Sequence, residues 1–260
     1  MTPSLLTEAK ALNKAKALNE AKALNEAKAL NEAKALNEAK ALNEAKALNK
    51  AEALPVHSRT PPEWARAALA DPIALLIDHA FLEKKAAQNA IELLTRWPGE
   101  WLPGWIETMT GVARDEAAHL AQVTRLLTKR GGRLERGHRN PYAKTLRTLV
   151  RLGGQDEALD RVLVSALIEV RSCERFSVLA TVAQEEGGDP ELALLYKALF
   201  SSEMGHYKVF LRLAQKIAGR TKANARWEQL LAEEAKILAV QEPGPRMHSG
   251  WHSGYDSKLQ

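Results

Sequence analysis

Two Glu-x-x-His motifs constrain this chain more than any other feature of its sequence. They run from Glu116 to His119 and from Glu203 to His206, and larger apolar residues flank both. Residues three positions apart on an α-helix lie on the same face, so each pair can bind one metal ion through a carboxylate and an imidazole. One such motif is common by chance in helical proteins, whereas two in one chain indicate a shared metal site.

The part of the chain from about residue 61 to residue 242 predicts an all-α domain. Apolar residues recur at intervals of three and four, and no alternating segment bounded by hairpin turns favours a strand. We predict helices over residues 63–69, 71–96, 105–129, 156–184, 190–217 and 223–240. Breaks rich in Gly and Pro separate them, and the connection from 130 to 155 carries no predicted helix.

Two isolated glutamates, Glu83 and Glu169, fit the same site. Each lies in a helical stretch whose neighbours are mostly apolar or small, where an unpaired charge would be costly. In two antiparallel helices joined by a tight turn, residues equidistant from the turn face each other. The midpoint of Glu83 and Glu116 falls inside the break WPGEWLPG, and that of Glu169 and Glu203 falls inside the break EEGGDP.

Docking two such hairpins places four carboxylates and two imidazoles in one layer. The predicted metal ligands are Glu83, Glu116, His119, Glu169, Glu203 and His206. Ferritin-like di-iron and di-manganese bundles use this set of ligands, and the 50 residues from His119 to Glu169 suffice for their crossover connection. We therefore predict an all-α, ferritin-like four-helix bundle with a long crossover and accessory helices, preceded by a low-complexity N-terminal arm.

Two neighbours of the predicted ligands leave alternatives open. Glu174 competes with Glu169, but it points about 140° away on the helix and can pair with Arg171 three residues earlier. His79 lies four residues before Glu83 on the same helix face. It can hold a ligand carboxylate or serve as a buried structural histidine.

The positive charge of the chain is concentrated in the crossover. The formal net charge is +5, yet one segment holds nine basic residues and a single acidic one, Glu135. The nine are Arg125, Lys129, Arg130, Arg133, Arg136, Arg139, Lys144, Arg147 and Arg151. A basic stripe of this kind suggests a polyanionic partner, and the alternative is a solvated loop face.

Residues 1–55 form a separate arm. The hexapeptide AKALNE repeats there, and six residues turn a helix through about 600°, so its leucines form no continuous apolar stripe. We predict a solvated helix or a disordered segment and assign it no chemistry. The domain then covers 61–242, and the tail 243–260, rich in Gly, Ser and Pro, should lie on the surface without regular structure.

The sequence also predicts a cytoplasmic protein that does not enter a membrane. The single cysteine, Cys173, excludes an intramolecular disulfide, and it lies in an apolar stretch typical of a core. No apolar run approaches the ~20 residues of a membrane span. The first residues lack the basic and apolar regions of a signal peptide.

Five segments of the chain resemble the MiaE family of bacterial tRNA hydroxylases. They are LLIDHAFLEKKAA, ARDEAAH, IEVRSCERF, SSEMGHY and RMHSG, and the resemblance covers roughly Trp64 to Gly250. The hexapeptide arm and the final WHSGYDSKLQ depart from the family pattern. The family hydroxylates the isopentenyl side chain of 2-methylthio-N6-isopentenyladenosine beside the anticodon. The resemblance therefore implies a di-iron monooxygenase in which the six predicted ligands bind two Fe ions, with O2 as co-substrate.

The resemblance also implies partners. These are tRNA, whose phosphates the nine basic residues would contact, and a separate reductase or ferredoxin, because the chain has no flavin or nucleotide motif. Two alternatives stay open. A ferritin-like iron oxidase or storage protein would use similar ligands but would more typically be acidic, and a non-catalytic tRNA-binding helical protein would leave the ligand layer unexplained.

Overall fold

The computed structural model describes residues 28, 50–96, 98, 101–135, 137–185 and 188–252. The chain divides into two compact units, Met1–Glu52 and Ala53–Gln260. In the first unit only residues 28 and 50–52 are described, and they are helical, so most of the predicted arm lies outside the described residues. No helix within the described ranges is long and apolar enough to cross a membrane.

The described residues of the second unit form seven α-helices. They are α1 Pro62–Leu69, α2 Pro72–Leu93, α3 Trp105–Lys129, α4 Pro141–Arg147, α5 Gly154–Glu185, α6 Pro190–Ala218 and α7 Arg220–Ala239. All six predicted helices are confirmed, with ends that differ by three residues at most. The described part of the chain contains no strand, in agreement with the predicted all-α class.

The helix α4 was not predicted, although its first residues carry a clear start signal. Three helices begin at the same kind of pair, namely Asp71-Pro72, Asn140-Pro141 and Asp189-Pro190. In each, the Asp or Asn side chain accepts a hydrogen bond from a backbone N–H three residues later. Proline suits the next position because the first helical N–H needs no partner within the helix.

The long helices form two hairpins. Helix α2 packs against α3, and α5 packs against α6, while α3 and α6 also contact each other. Asn89 on α2 donates a hydrogen bond to the hydroxyl of Ser165 on α5 at 3.0 Å. These contacts join the hairpins into the four-helix bundle that the sequence predicts, and the crossover between them carries α4.

The C-terminal tail corrects the prediction that it lies on the surface. Its described part forms no helix, but residues 247–249 are buried. The buried guanidinium of Arg175 donates to the carbonyl oxygens of Met247 and Ser249, and the indole N–H of Trp64 donates to the Ser249 hydroxyl at 2.9 Å. Buried donors are normally hydrogen-bonded, and the tail backbone supplies acceptors for two nitrogens of this guanidinium, so the tail serves as part of the core.

A second buried guanidinium connects α5 to the surrounding helices. Arg171 donates to both carboxylate oxygens of Glu234 on α7, at 2.7 and 2.8 Å, and to Glu174 at 3.0 Å. The hydroxyl of Tyr142 on α4 also donates to Glu234 at 3.0 Å. Thr60, just before α1, donates to Glu174 through its N–H and its hydroxyl, both at 2.6 Å.

Replacing Glu234 with Ala should lower the free energy of unfolding by about 3–5 kcal/mol, because it leaves the buried Arg171 charge without its main partner. The matched control is the adjacent Glu233→Ala, which removes an exposed ion pair with Lys236 and should cost about 0–1 kcal/mol. Urea denaturation of both variants measures the difference. Equal losses would show that the buried network does not stabilise the fold.

Replacing Gly250 with Ala should also destabilise the protein, because an added Cβ would lie 1.8 Å from the backbone oxygen of Gln241. Overpacking against backbone costs about 1–3 kcal/mol. The control is Gly111→Ala within α3, where a Cβ meets nothing within 4 Å and helix propensity should add about 0.5–1 kcal/mol of stability. Thermal unfolding should move in opposite directions for the two variants.

Candidate metal centre

The six predicted ligands lie within the four long helices of the bundle. Helix α2 carries Glu83, α3 carries Glu116 and His119, α5 carries Glu169, and α6 carries the other two. All six residues are buried, and none has more than 7% of its surface exposed. The equal distances of the glutamates from the two turns predict that they lie at one level of the bundle.

Four of these residues surround one point. Glu83, Glu116, His119 and Glu203 each place one oxygen or nitrogen atom within 4.8 Å of the others. The Nδ1 atom of His119 lies 2.8 Å from Oε1 of Glu203 and 3.6 Å from an oxygen of both Glu83 and Glu116. This spacing is suitable for several ligands of a single ion.

His206 and Glu169 complete the layer. The Nδ1 atom of His206 lies 2.8 Å from Oε1 of Glu116 and 2.8 Å from Oε2 of Glu203. The two imidazole rings have their centres 5.8 Å apart. Glu169 lies near enough to Glu203 and Glu116 for their charges to raise its pKa. The structure thus brings all six side chains together.

The layer has an excess of negative charge. Burial raises the pKa of Glu169 well above its usual range, and the charges of Glu203 and Glu116 raise it further. Burial lowers the pKa of both imidazoles, but the carboxylates that face them outweigh this effect and raise the pKa of His119 to about 12 and that of His206 to about 10. The carboxylates therefore attract positive charge strongly, whether it comes from protons or from metal ions.

Two buried atoms test whether this layer fits metal ions. Nδ1 of His119 and Oε1 of Glu116 have no hydrogen-bond partner among the described residues. Each nevertheless has an oxygen or nitrogen neighbour at 2.8 Å. Buried polar atoms are normally hydrogen-bonded, and converging carboxylates and imidazoles are typical ligands of first-row transition metals. The residues present fit bound metal ions.

The structure separates the alternatives that the sequence left open. Glu174 lies outside the layer and binds Thr60 and Arg171, whereas Glu169 lies inside it. His79 is buried with its Nε2 atom 2.6 Å from Oε1 of Glu83. A buried histidine at this distance can hold the carboxylate in place.

Two residues that contact the histidines were missed by the sequence analysis. Ser202 Oγ lies 2.9 Å from Nε2 of His119, and Asp115 Oδ2 lies 3.5 Å from Nε2 of His206. The only available signal is their position, since each directly precedes the glutamate of a Glu-x-x-His motif. Ser and Asp are too common on helix surfaces for that position to be informative by itself.

The nine basic residues of the crossover fall into two groups. Lys129 pairs with Glu191, Arg130 with Asp189, and Arg151 with Asp160, at 2.6 to 2.8 Å. The other described members are exposed and form no ion pair within the described ranges, and they are Arg125, Arg133, Arg139, Lys144 and Arg147. Arg136 lies outside the described residues.

Two known proteins are similar to this chain in sequence. A relative from Pseudomonas putida, tRNA 2-(methylsulfanyl)-N(6)-isopentenyladenosine(37) hydroxylase, is 37% identical over 191 residues, which cover 74% of this chain and 90% of the relative. The protein of the same name from Salmonella typhimurium is 27% identical, with 75% of this chain and 87% of the relative covered.

A solved structure is also similar. It is a protein from Synechococcus described as having aldehyde deformylating oxygenase activity, with a TM-score of 0.69 and 35% identity, and the match covers 77% of this chain and 98% of that one. The family model described as tRNA-(MS2IO6A)-hydroxylase (MiaE) matches residues 46–249. Because that match spans most of the chain and includes the whole ligand layer, this chain belongs to the MiaE family of tRNA hydroxylases.

Proposed function

We propose that this chain hydroxylates the isopentenyl side chain of 2-methylthio-N6-isopentenyladenosine beside the anticodon of tRNA, using two iron ions and O2. The observation that carries the proposal is the buried layer of carboxylates and imidazoles within a chain of the MiaE family. The relatives from Pseudomonas putida and Salmonella typhimurium are named as hydroxylases of this nucleoside.

The geometry of the layer supports two metal positions. Glu116 and Glu203 each face both imidazoles with different carboxylate oxygens, so each would help to hold both ions. His119 and Glu83 would then complete one position, and His206 would belong to the other. Glu169 would supply a further carboxylate. When bound, the iron pair supplies the ability to reduce O2 and to place one oxygen atom in an unactivated C–H bond.

The protein's own side chains hold the ligands and exclude water. His79 holds the carboxylate of Glu83, and its ring lies 5.1 Å from that of Phe176 and 5.7 Å from that of Tyr196, centre to centre. The helices that carry the two motifs bury further apolar residues, among them Met109, Val112, Phe200 and Phe210. Such surroundings keep water from the reacting groups, which protects them from side reactions.

We assign the tRNA surface to the five exposed basic residues that form no ion pair within the described part of the chain. Lys144 and Arg147 lie three positions apart on α4 and therefore share a helix face. Phosphate contacts would position the tRNA, while the modified base leaves the anticodon stack at a cost of roughly a few kcal/mol. The charges of Lys129, Arg130 and Arg151 are already engaged within the protein.

The reaction needs two electrons in each turnover, which we propose come from a separate reductase or ferredoxin. A substrate that is a tRNA favours the cytoplasm as the working compartment. A ferritin-like iron store would explain the ligand layer but not the exposed basic residues of the crossover. A non-catalytic tRNA-binding protein would explain those residues but not six buried ionisable groups at one level of the bundle.

Replacing His119 or Glu203 with Ala should lower the iron content below two ions per chain and abolish hydroxylation. The first change removes one of the two imidazoles, and the second removes a carboxylate that faces both. Iron analysis of the purified protein and nucleoside analysis of the tRNA measure the two effects. Circular dichroism should show nearly unchanged helix content.

A matched pair on α5 serves as the control. Glu169→Ala should lower the iron content, whereas Glu174→Ala should leave it at two ions per chain and instead reduce stability, because Glu174 binds Thr60 and Arg171. Full iron content and activity in the His119, Glu169 and Glu203 variants would contradict the assignment of this layer as the iron site.

Replacing Arg139, Lys144 and Arg147 together with Gln should weaken tRNA binding and make it less dependent on salt. The slope of log K against log salt is negative, and each lost phosphate contact reduces its magnitude by about 0.7 to 0.9, so three lost contacts should reduce that magnitude by about 2 to 3. Iron content should not change. Filter binding at several salt concentrations is the measurement.

The control is a triple Gln variant of Lys129, Lys222 and Lys236, whose charges are paired with acidic residues. It removes the same number of positive charges and should change the slope little. If both triple variants reduced the magnitude of the slope equally, the effect would come from overall charge and not from this surface.

A further inference from the structure

A small polar cavity lies where the C-terminal tail meets the crossover and α2. The residues that line it include Asp78, Arg139, Asn140, Arg246 and His248. It holds about 210 Å³ of empty space including its open mouth, and its closed part has room for a group the size of one water molecule. A single ligand atom therefore fits inside, and a larger ligand would extend from the mouth.

His248 brings a buried imidazole without a partner to this cavity. The residue is 5% exposed, and neither ring nitrogen has a hydrogen-bond partner among the described residues. Burial and the charge of Arg175 lower the pKa of His248 well below its usual value, so the ring is neutral and keeps one N–H. Because a buried N–H is normally hydrogen-bonded, this ring needs an acceptor that the described residues do not supply.

Two guanidinium groups line the same cavity. Arg139 belongs to the crossover and Arg246 to the C-terminal tail, and neither forms an ion pair within the described ranges. Arg246 donates one hydrogen bond, from Nη2 to the carbonyl oxygen of Glu242 at 2.9 Å. Since a guanidinium has five N–H donors, most donors of both side chains remain available for a ligand.

The carboxylate of the cavity wall is already engaged. Oδ2 of Asp78 accepts a hydrogen bond from the N–H of Met247 at 2.8 Å, and Oδ1 lies 2.6 Å from Nε2 of His138. With His248 neutral, two guanidinium groups and one carboxylate give the lining a net charge of +1. A phosphodiester group carries one negative charge and accepts hydrogen bonds through its oxygens, so it matches both the charge and the donors.

Asp78 also fixes the two chain segments that carry the arginines. His138, which contacts one oxygen of Asp78, directly precedes Arg139. Met247, which donates to the other oxygen, directly follows Arg246. The donors are thus held close to each other before a ligand arrives, which reduces the entropy lost on binding.

We propose that Arg139, Arg246 and His248 form a binding site for one backbone phosphate of the tRNA. One phosphate oxygen enters the cavity and accepts a hydrogen bond from the His248 ring, while the two guanidinium groups contact the phosphate at the mouth. This inference rests on the proposed function for the identity of its ligand. It adds a defined phosphate site, completed by the segment RMHSG of the tail, to the exposed basic residues of the crossover.

Filter binding of tRNA at several salt concentrations tests the site with two variants that differ in charge. Arg246→Gln should weaken binding and reduce the magnitude of the salt slope by about 0.7 to 0.9, because it removes one phosphate contact. His248→Phe keeps a ring that can stack on Tyr142 but loses the N–H. It should weaken binding by about 10-fold and leave the slope unchanged, because no charge is lost.

The matched control is Arg212→Gln, which removes an exposed positive charge on α6 away from the cavity and should change neither quantity. Thermal unfolding checks that His248→Phe is folded. If that variant does not fold, the test depends on Arg246→Gln and on the crystals described next.

Crystals of the full chain soaked in selenate give a readout that does not involve tRNA. Selenate has the shape of phosphate and can be located by its anomalous scattering. The wild type should show a selenium peak between the guanidinium groups of Arg139 and Arg246, and Arg246→Gln should lose it. A peak that persists in that variant would contradict the role of Arg246.

The outcomes separate this inference from the proposed function. No selenate peak together with unchanged tRNA binding in the Arg246 and His248 variants would show that the cavity holds only water, and would overturn the site. A selenate peak without any effect of the variants on tRNA would assign the cavity to a free oxyanion and overturn the assignment to tRNA. A wild type that binds tRNA through this site but binds no iron would contradict the proposed function alone.

Discussion

The burial of four carboxylates and two imidazoles at one level of the bundle is the constraint on which the rest of this structure depends. Charges inside a protein are tolerated only when they are paired or bind metal ions. Within the described residues no Lys or Arg forms an ion pair with these carboxylates, and the two imidazoles face them instead. The four helices must therefore keep their relative register and pack closely, because a shift of one helix by one residue would separate the ligands.

A second buried system, away from the ligands, holds the helices in that register. Arg171 and Arg175 lie on α5, two and six residues after Glu169, and they bind α7, the segment before α1 and the C-terminal tail. These two arginines belong to the segment RSCERF, and Ser249 belongs to RMHSG. The segments that most specifically mark the family thus contribute buried structural contacts, while the more general Glu-x-x-His pattern supplies the ligands.

Much of this could be predicted from the sequence because the relevant signals are local. Helical periodicity and the breaks at Pro and Gly indicate the helix ends, and the equal distances of the glutamates from the turns indicate the layer.

The burial of the tail could not be predicted, since it depends on hydrogen bonds to Arg175, which is distant from the tail in sequence. The contacts of Ser202 and Asp115 depend on how α3 and α6 are rotated against each other, and that rotation has no sequence signal. Helix α4 had a signal in Asn140-Pro141, which the sequence analysis did not use.

The most direct test of this account is anomalous X-ray scattering at the iron edge from crystals of the Fe(II)-loaded protein. The account predicts two iron peaks within the layer, one beside His119 and the other beside His206, with Glu116 and Glu203 contacting both. A single peak, or peaks outside the layer formed by the six side chains, would contradict it.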